Sequence, residues 1–416
     1  MTHRARTLAS AALLAMAFPA VTVGRFADAQ RRSPRPGATV DAGTRSPRSP
    51  SAPVIHAPIA GLDLGRMRLA AGHFVADLPG GSRATLTLDA TWQRATVALL
   101  ERHQLPEAAV VVLDTDTGRV LVWASRGGEP GARAGQELPR LPVAPAASVF
   151  KIVTTSALLA HGLAEDSVTC YSGGFHRLLA RDLVSDPRRD RDCATLGEAF
   201  ANSINTVFAR RALERLSPDD ERAQATAWGF GEPVPFDVAV QPSPVTIPTD
   251  TLEFARTAAG FWNSYLSAVH GAALGQAIAR GGELSRPWIV DRVQSARGDV
   301  TAVGGAQPWR RATTPEIARS MQRMMLRTVT DGTAFHGFHD AHRRAYLDGI
   351  TVGGKTGTLT RDTPYRAYTW FVGNAEGPGH RLSFAVLVGN DPLWRVKAAT
   401  VARQVLQIAY RGHATD

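Results

Sequence analysis

The chain has 416 residues, 44% apolar and 20% charged, enough for a sizeable core in two or three domains and too apolar for global disorder. Two cysteines are too few for a disulfide scaffold or a zinc ribbon, and the body has no uninterrupted apolar run of about eighteen residues, which excludes a polytopic membrane protein. The net charge of +10 is concentrated before residue 59, where eight Arg face two Asp, so the basic excess belongs to a tail and nucleic-acid binding is not expected.

Residues 1–29 read as an export signal. Arg4 and Arg6 precede the apolar stretch Leu8–Val23, and Ala27-Asp28-Ala29 fits a small-x-small cleavage site before Gln30. An uncleaved anchor is the alternative, although the stretch contains Pro19. Residues 30–58, rich in Arg, Pro and Ser, read as a disordered linker, and 59–83 as a lead-in to a domain spanning 84–416. The alternating segment Ala84–Asp89 predicts a strand and Thr91–His103 a helix. Ala108–Leu113 and Val120–Ala124 predict a hairpin around Asp114–Gly118. Ser148–His161 is apolar nearly all round and stops at Gly162, the pattern of a buried helix, and Thr195 with Glu198 forms a capping box that opens another. The middle, to about Leu326, reads as mainly helical. Strands return at Asp348–Gly354, leading into Lys355, and at Thr369–Asn374 and Leu382–Gly389, before an amphipathic helix at Arg395–Ala409. Together these predict an α+β fold: one antiparallel sheet assembled from both chain ends, covered by helices, with a mainly helical insertion.

Lysine occurs only at 151, 355 and 397, against 44 arginines. A retained lysine marks chemistry that guanidinium cannot do, such as giving up a proton; chance retention is the plain alternative. Ser148-Val-Phe-Lys151 puts a hydroxyl and an amine about one helical turn apart, and a neutral, buried lysine beside a second cation can take the serine proton. Lys355-Thr356-Gly357-Thr358 joins a cation to two hydroxyls able to hold a carboxylate; a strand end with a turn glycine is the bland reading. Ser203-Ile-Asn205 offers a proton-relaying hydroxyl and an amide for a peptide carbonyl, and carries almost no signal alone. The order of the three strings carries the signal.

That ordered set resembles the penicillin-binding proteins and serine β-lactamases. The likeness extends through Thr85–Asp89 with Val110–Ala124, Ala201–Phe208, Gly332-Thr-Ala334 and Trp370-Phe-Val-Gly373, covering roughly residues 84–411. It implies a five-stranded antiparallel sheet. It also implies that Ser148 is acylated and Lys151 is its base, that Ser203 protonates the leaving D-alanine, and that Asn205 holds the acyl-side amide. Lys355 would keep the field positive, and Thr356 and Thr358, either side of Gly357, would bind the substrate carboxylate. Backbone N–H groups of Ser148 and Thr358 would make the oxyanion hole, with substrate lying as an added strand. No cofactor or metal is needed. Peptidoglycan stem peptides and β-lactam antibiotics would be the ligands, a separate glycosyltransferase a partner, and the periplasm or outer face of the cytoplasmic membrane the location.

Where the family often has Pro-Gly before the nucleophile, this chain has Pro145-Ala-Ala-Ser148. It lacks the Glu-x-x-Leu-Asn of class A β-lactamases after the S-x-N string, which favours a long-lived penicilloyl adduct. A D,D-transpeptidase leads; a D,D-carboxypeptidase, a β-lactamase and a non-catalytic β-lactam sensor are the rivals. Cys170 and Cys193 bracket a polar loop and, in an exported protein, are expected to pair. His336, His339 and His342 read as a solvated loop rather than metal ligands, and the glycines at 127, 128, 131 and 135 as a flexible approach to the active site.

Overall fold

The computed structural model describes residues 52–127, 137–174 and 177–411. The expected export signal, most of the expected linker and the glycines at 128, 131 and 135 lie outside the described residues. The linker expected over 30–58 ends early: Val54 bridges Val303, and Ile55 is buried with its N–H on the Val303 carbonyl. Ile55 supplies the apolar surface that the preceding residues lack.

The expected lead-in is itself a meander, β1 (Arg68–Ala70), β2 (His73–Asp77) and β3 (Arg83–Leu86). Ala71 and Gly72, both at positive φ (48° and 82°), make the two-residue turn whose twist suits a hairpin. Helix α1 (Ala90–Arg102) opens on Asp89, whose carboxylate accepts from the Thr91 and Trp92 N–H groups. The expected hairpin follows as β4 (Glu107–Asp114) and β5 (Val120–Gly127), with Gly118 at φ 75° in its turn. β6 (Ala144–Pro145) leads through a 3-10 turn, Ala147–Phe150, into α2 (Lys151–Ala160). Ser148 therefore lies in that tight turn ahead of the α-helix rather than on it.

β7 (Val168–Tyr171), the short α3 (Ala180–Leu183) and β8 (Asp192–Thr195) form an excursion whose strands are joined by the Cys170–Cys193 disulfide. The Thr195–Glu198 capping box opens α4 (Leu196–Ala201), followed by α5 (Asn205–Arg215), α6 (Pro218–Ala227) and α7 (Thr251–Ala258). β9 (Tyr265–Leu266) precedes α8 (Ala268–Ala279). The next stretch, expected to be helical, is instead four short strands: β10 (Glu283–Ser285), β11 (Val290–Gln294), β12 (Val300–Val303) and β13 (Pro308–Arg311). β3 pairs with β11 here, so Ala84–Leu86 joins a second sheet of order β1-β2-β3-β11-β12. α9 (Pro315–Thr330) and α10 (Phe335–Phe338) lead to three long strands, β14 (Thr351–Asp362), β15 (Tyr365–Gly377) and β16 (His380–Asn390), and α11 (Ala398–Ala409) closes the fold. Lys355 sits inside β14, not at the end of a strand, because the pairing with β15 runs on to Asp362.

The principal sheet is five-stranded and antiparallel, in the order β14-β15-β16-β4-β5, so sequence-distant strands meet at β16 and β4. Alternation divides its residues between two cores. Ala109, Val111 and Leu113 face α8, which is buried almost all round, while Ala108, Val110 and Val112 face α1 and α11. β14 and β5 are the two edge strands, and β14 lies beside the helices inserted between β5 and β14.

Candidate active site

The turn that carries Ser148 is fastened on both sides. β6 pairs with β9, and the Trp370 indole N–H donates to the Pro145 carbonyl at 2.9 Å. Ala147 adopts φ 50°, a conformation costly for a residue with a Cβ, immediately before Ser148. Gly260 and Gly357 close on this turn: a Cβ on Gly260 would lie 2.6 Å from the Ala147 carbonyl oxygen, and one on Gly357 3.1 Å from that of Ala146.

Lys151 is fully buried at the start of α2, with Nζ 2.8 Å from Ser148 Oγ. It donates to Asn205 Oδ1 at 2.8 Å and to the Ala259 carbonyl at 2.5 Å. Burial, reinforced by the positive charge of Lys355, holds this amine well below the ordinary lysine range. A neutral amine has two N–H donors and one lone pair. In its neutral form, with both N–H groups engaged by Asn205 and Ala259, the amine has its lone pair left for the Ser148 hydroxyl, the arrangement a general base requires.

Asn205 is the first residue of α5, and its Nδ2 donates to the Gly174 carbonyl at 2.9 Å, which fixes the amide orientation. Ser203, at φ 57° in the break between α4 and α5, receives Lys355 Nζ at 3.0 Å. The second amine therefore meets Ser203 rather than Ser148. Lys355 is also fully buried, and burial pushes it down to about 7. Rings flank both amines, Phe208 at 5.3 Å from Lys151 and Phe200 at 5.4 Å from Lys355. Thr356 Oγ1 lies 2.6 Å from Thr333 Oγ1.

Ser148, Ser203, Asn205, Thr356, Gly357 and Thr358 line one cleft of about 470 Å³, and Lys151 and Lys355 form its floor through the bonds above. Cys170 and Cys193 pair elsewhere, in the excursion that supplies Gly174. Among the described residues no cluster of His, Cys, Asp or Glu could hold a metal ion; His339 stacks on Phe335 instead.

Several contributors escaped sequence reasoning. The Ala259 and Gly174 carbonyls carry no side-chain signal at all. Thr333 sits in the Gly332-Thr-Ala334 string without a role having been read from it. Lys397, the third lysine, lines the same cleft; the rarity of lysine in this chain was the available signal.

A sequence profile of the penicillin binding protein transpeptidase domain matches residues 108–407. The peptidoglycan D,D-transpeptidase PbpA of Mycobacterium tuberculosis is 26% identical over 385 residues, covering 83% of this chain and 76% of that protein. The crystal structure of that organism's PBPA aligns with a TM-score of 0.65 at 22% identity, over 80% of this chain and 81% of the other. The D,D-transpeptidase domain of a peptidoglycan glycosyltransferase from Eggerthella lenta aligns with a TM-score of 0.66 at 23% identity, over 82% and 86%. A penicillin G acyl-enzyme complex of the M. tuberculosis protein shares the fold as well, with a TM-score of 0.64 at 22% identity over 80% and 82%. Since the profile spans well over half of the residues, the chain belongs to the penicillin-binding protein transpeptidase family.

Proposed function

We propose that this protein is a serine D,D-transpeptidase that cross-links peptidoglycan stem peptides outside the cytoplasmic membrane and is acylated by β-lactams. The observation that carries the reading is Lys151 Nζ, 2.8 Å from Ser148 Oγ with both of its N–H groups taken. Lys151 accepts the Ser148 proton as Oγ attacks the carbonyl carbon of the D-Ala–D-Ala bond. The N–H groups of Ser148 and Thr358 receive the developing oxyanion. The C–N bond then breaks, and the proton passes through Ser203 to the nitrogen of the departing D-alanine, whose carboxylate Thr356 and Thr358 hold. An amine from a neighbouring stem attacks the Ser148 ester and gives its proton to Lys151; the ester C–Oγ bond breaks, Lys151 returns the proton to Ser148 Oγ, and the new amide leaves. The donor peptide lies along the open edge of β14. A separate glycosyltransferase would supply the glycan strands.

No carboxylate lines the cleft among the described residues. That supports a slow loss of the penicilloyl ester, against β-lactamase turnover, because water at the ester meets no carboxylate base. A fluorescent penicillin should label the wild type covalently and leave Ser148→Ala unlabelled; equal labelling of both would overturn the assignment. A stem-peptide donor with a diamino acceptor should yield cross-linked dimer. Release of D-alanine alone would make the protein a carboxypeptidase.

A further inference from the structure

Two carbonyls at the C-terminal end of α7, those of Ala258 and Ala259, lie beyond the helix's own hydrogen-bond ladder. Each takes a donor from α2: Lys151 Nζ on Ala259 at 2.5 Å and Thr154 Oγ1 on Ala258 at 2.9 Å. The two donors are one helical turn apart. Threonines inside helices commonly turn back onto the carbonyl four residues earlier, as Thr226, Thr257 and Thr328 do in this fold. Thr154 instead points across to α7, and its second partner is Glu221 Oε1 on α6, 2.6 Å away.

Glu221 is fully buried, and its Oε2 has no hydrogen-bond partner among the described residues, which suits a neutral carboxyl better than a carboxylate. A threonine hydroxyl has one proton, so it cannot donate to both oxygens. Both contacts are satisfied when Glu221 keeps its proton and donates to Thr154 Oγ1, which passes its own to the Ala258 carbonyl. Burial, with Asp220 alongside, pushes Glu221 up to about 7. From α2 the charged groups nearby are Lys151, a turn before Thr154, and His161, which faces Asp220 at 3.6 Å. On α7, Arg256 is taken up by Glu253 and the Leu178 carbonyl.

We propose that Glu221 and Thr154 are positioning residues for the general base: their hydrogen-bonded chain holds the end of α7 so that the Ala259 carbonyl takes one N–H of Lys151 and leaves its lone pair aimed at Ser148 Oγ. The inference rests on Lys151 as the base of the reaction proposed above. Glu221 draws the Thr154 hydroxyl out of its own helix, and an amide in its place can do the same.

The test uses the full chain carrying Glu221→Gln, Glu221→Leu, Thr154→Val, or the last two combined. Acylation by a fluorescent penicillin is followed between about pH 5 and 9, separating the maximal rate from the half-saturating concentration. Glu221→Leu and Thr154→Val should each lower the maximal rate about tenfold with half-saturation unchanged. The acid limb of the profile should move to lower pH, because the lysine loses a carbonyl that favours its cation. Below about pH 7, where Glu221 keeps its proton, Glu221→Gln should stay within about twofold of the wild type, and the double variant should be no slower than Thr154→Val. Thr154→Val, nearly isosteric, carries the test if the leucine variant does not fold. A wild-type rate and profile in Thr154→Val, or an equally slow Glu221→Gln and Glu221→Leu, overturns the inference. A wild type that penicillin never acylates would instead reject the serine mechanism.

Discussion

Asp190→Ala should remove about 3–5 kcal/mol of folding stability and slow acylation, because it strands a buried guanidinium under the helix that carries Asn205. Arg210 of α5 pairs with Asp190 at 2.6 Å and 3.2 Å, and the two side chains are only 8% and 2% exposed. The same guanidinium donates to the carbonyls of Asp182, Cys170 and Val184 at 2.8, 2.9 and 3.0 Å, and Arg210 holds the Asp190 carboxyl far below the usual carboxylate range. Alanine removes the only anion in this set and leaves the cation buried. Asparagine keeps an oxygen for Arg210, so Asp190→Asn should cost about half as much. The consequence reaches the site because the excursion between Cys170 and Cys193 also offers the Gly173 and Gly174 carbonyls to Thr206 and Asn205. Asn205 in turn receives one N–H of Lys151. Equilibrium urea unfolding measures the first effect and the penicillin acylation rate the second. The sign of the pH dependence follows from the depressed carboxyl. Its contribution is complete above the unfolded value of about 3.9 and fades as pH falls, so wild type and variant should converge in acid. A loss below about 1 kcal/mol at neutral pH, the size of a surface ion pair, would refute the reasoning.

Two further outcomes can be checked on the same preparations. Gly260→Ala places a Cβ 2.6 Å from the Ala147 carbonyl oxygen and 2.9 Å from Ser148 Cα, at φ 83°, so it should cost about 2–4 kcal/mol and slow acylation by shifting the turn that carries Ser148; unchanged melting and labelling would contradict the close approach. Glu221, ordinarily near 4.5 and raised to about 7 here, binds its proton more tightly folded than unfolded. The wild type should therefore lose about 3 kcal/mol as pH rises from about 4.5 to 7, and Glu221→Gln should lack that slope; an identical slope in both would mean that the carboxyl is not protonated in the fold.

The amino-acid order alone determined the elements whose signals are local. The β4–β5 hairpin declared itself through alternation and Gly118, α4 through the Thr195–Glu198 box, and the principal sheet through strand patterns at both chain ends. The three strings around Ser148, Ser203 and Lys355 were legible because of the order in which they follow one another and because lysine is so rare in this chain. Tertiary structure decided what depends on distant partners. Ala84–Leu86 looked like any strand, and only pairing with β11 assigned it to the second sheet. Lys355 looked terminal, and only the ladder to β15 extended its strand past it. That the Lys151 amine is held below the ordinary lysine range was written nowhere near residue 151. It depends on burial and on the Lys355 charge, and one N–H of the amine goes to a carbonyl 108 residues along the chain. Backbone carbonyls are common to every residue type, so no string of letters marks the one that a fold will aim at an amine; three-dimensional packing chooses it.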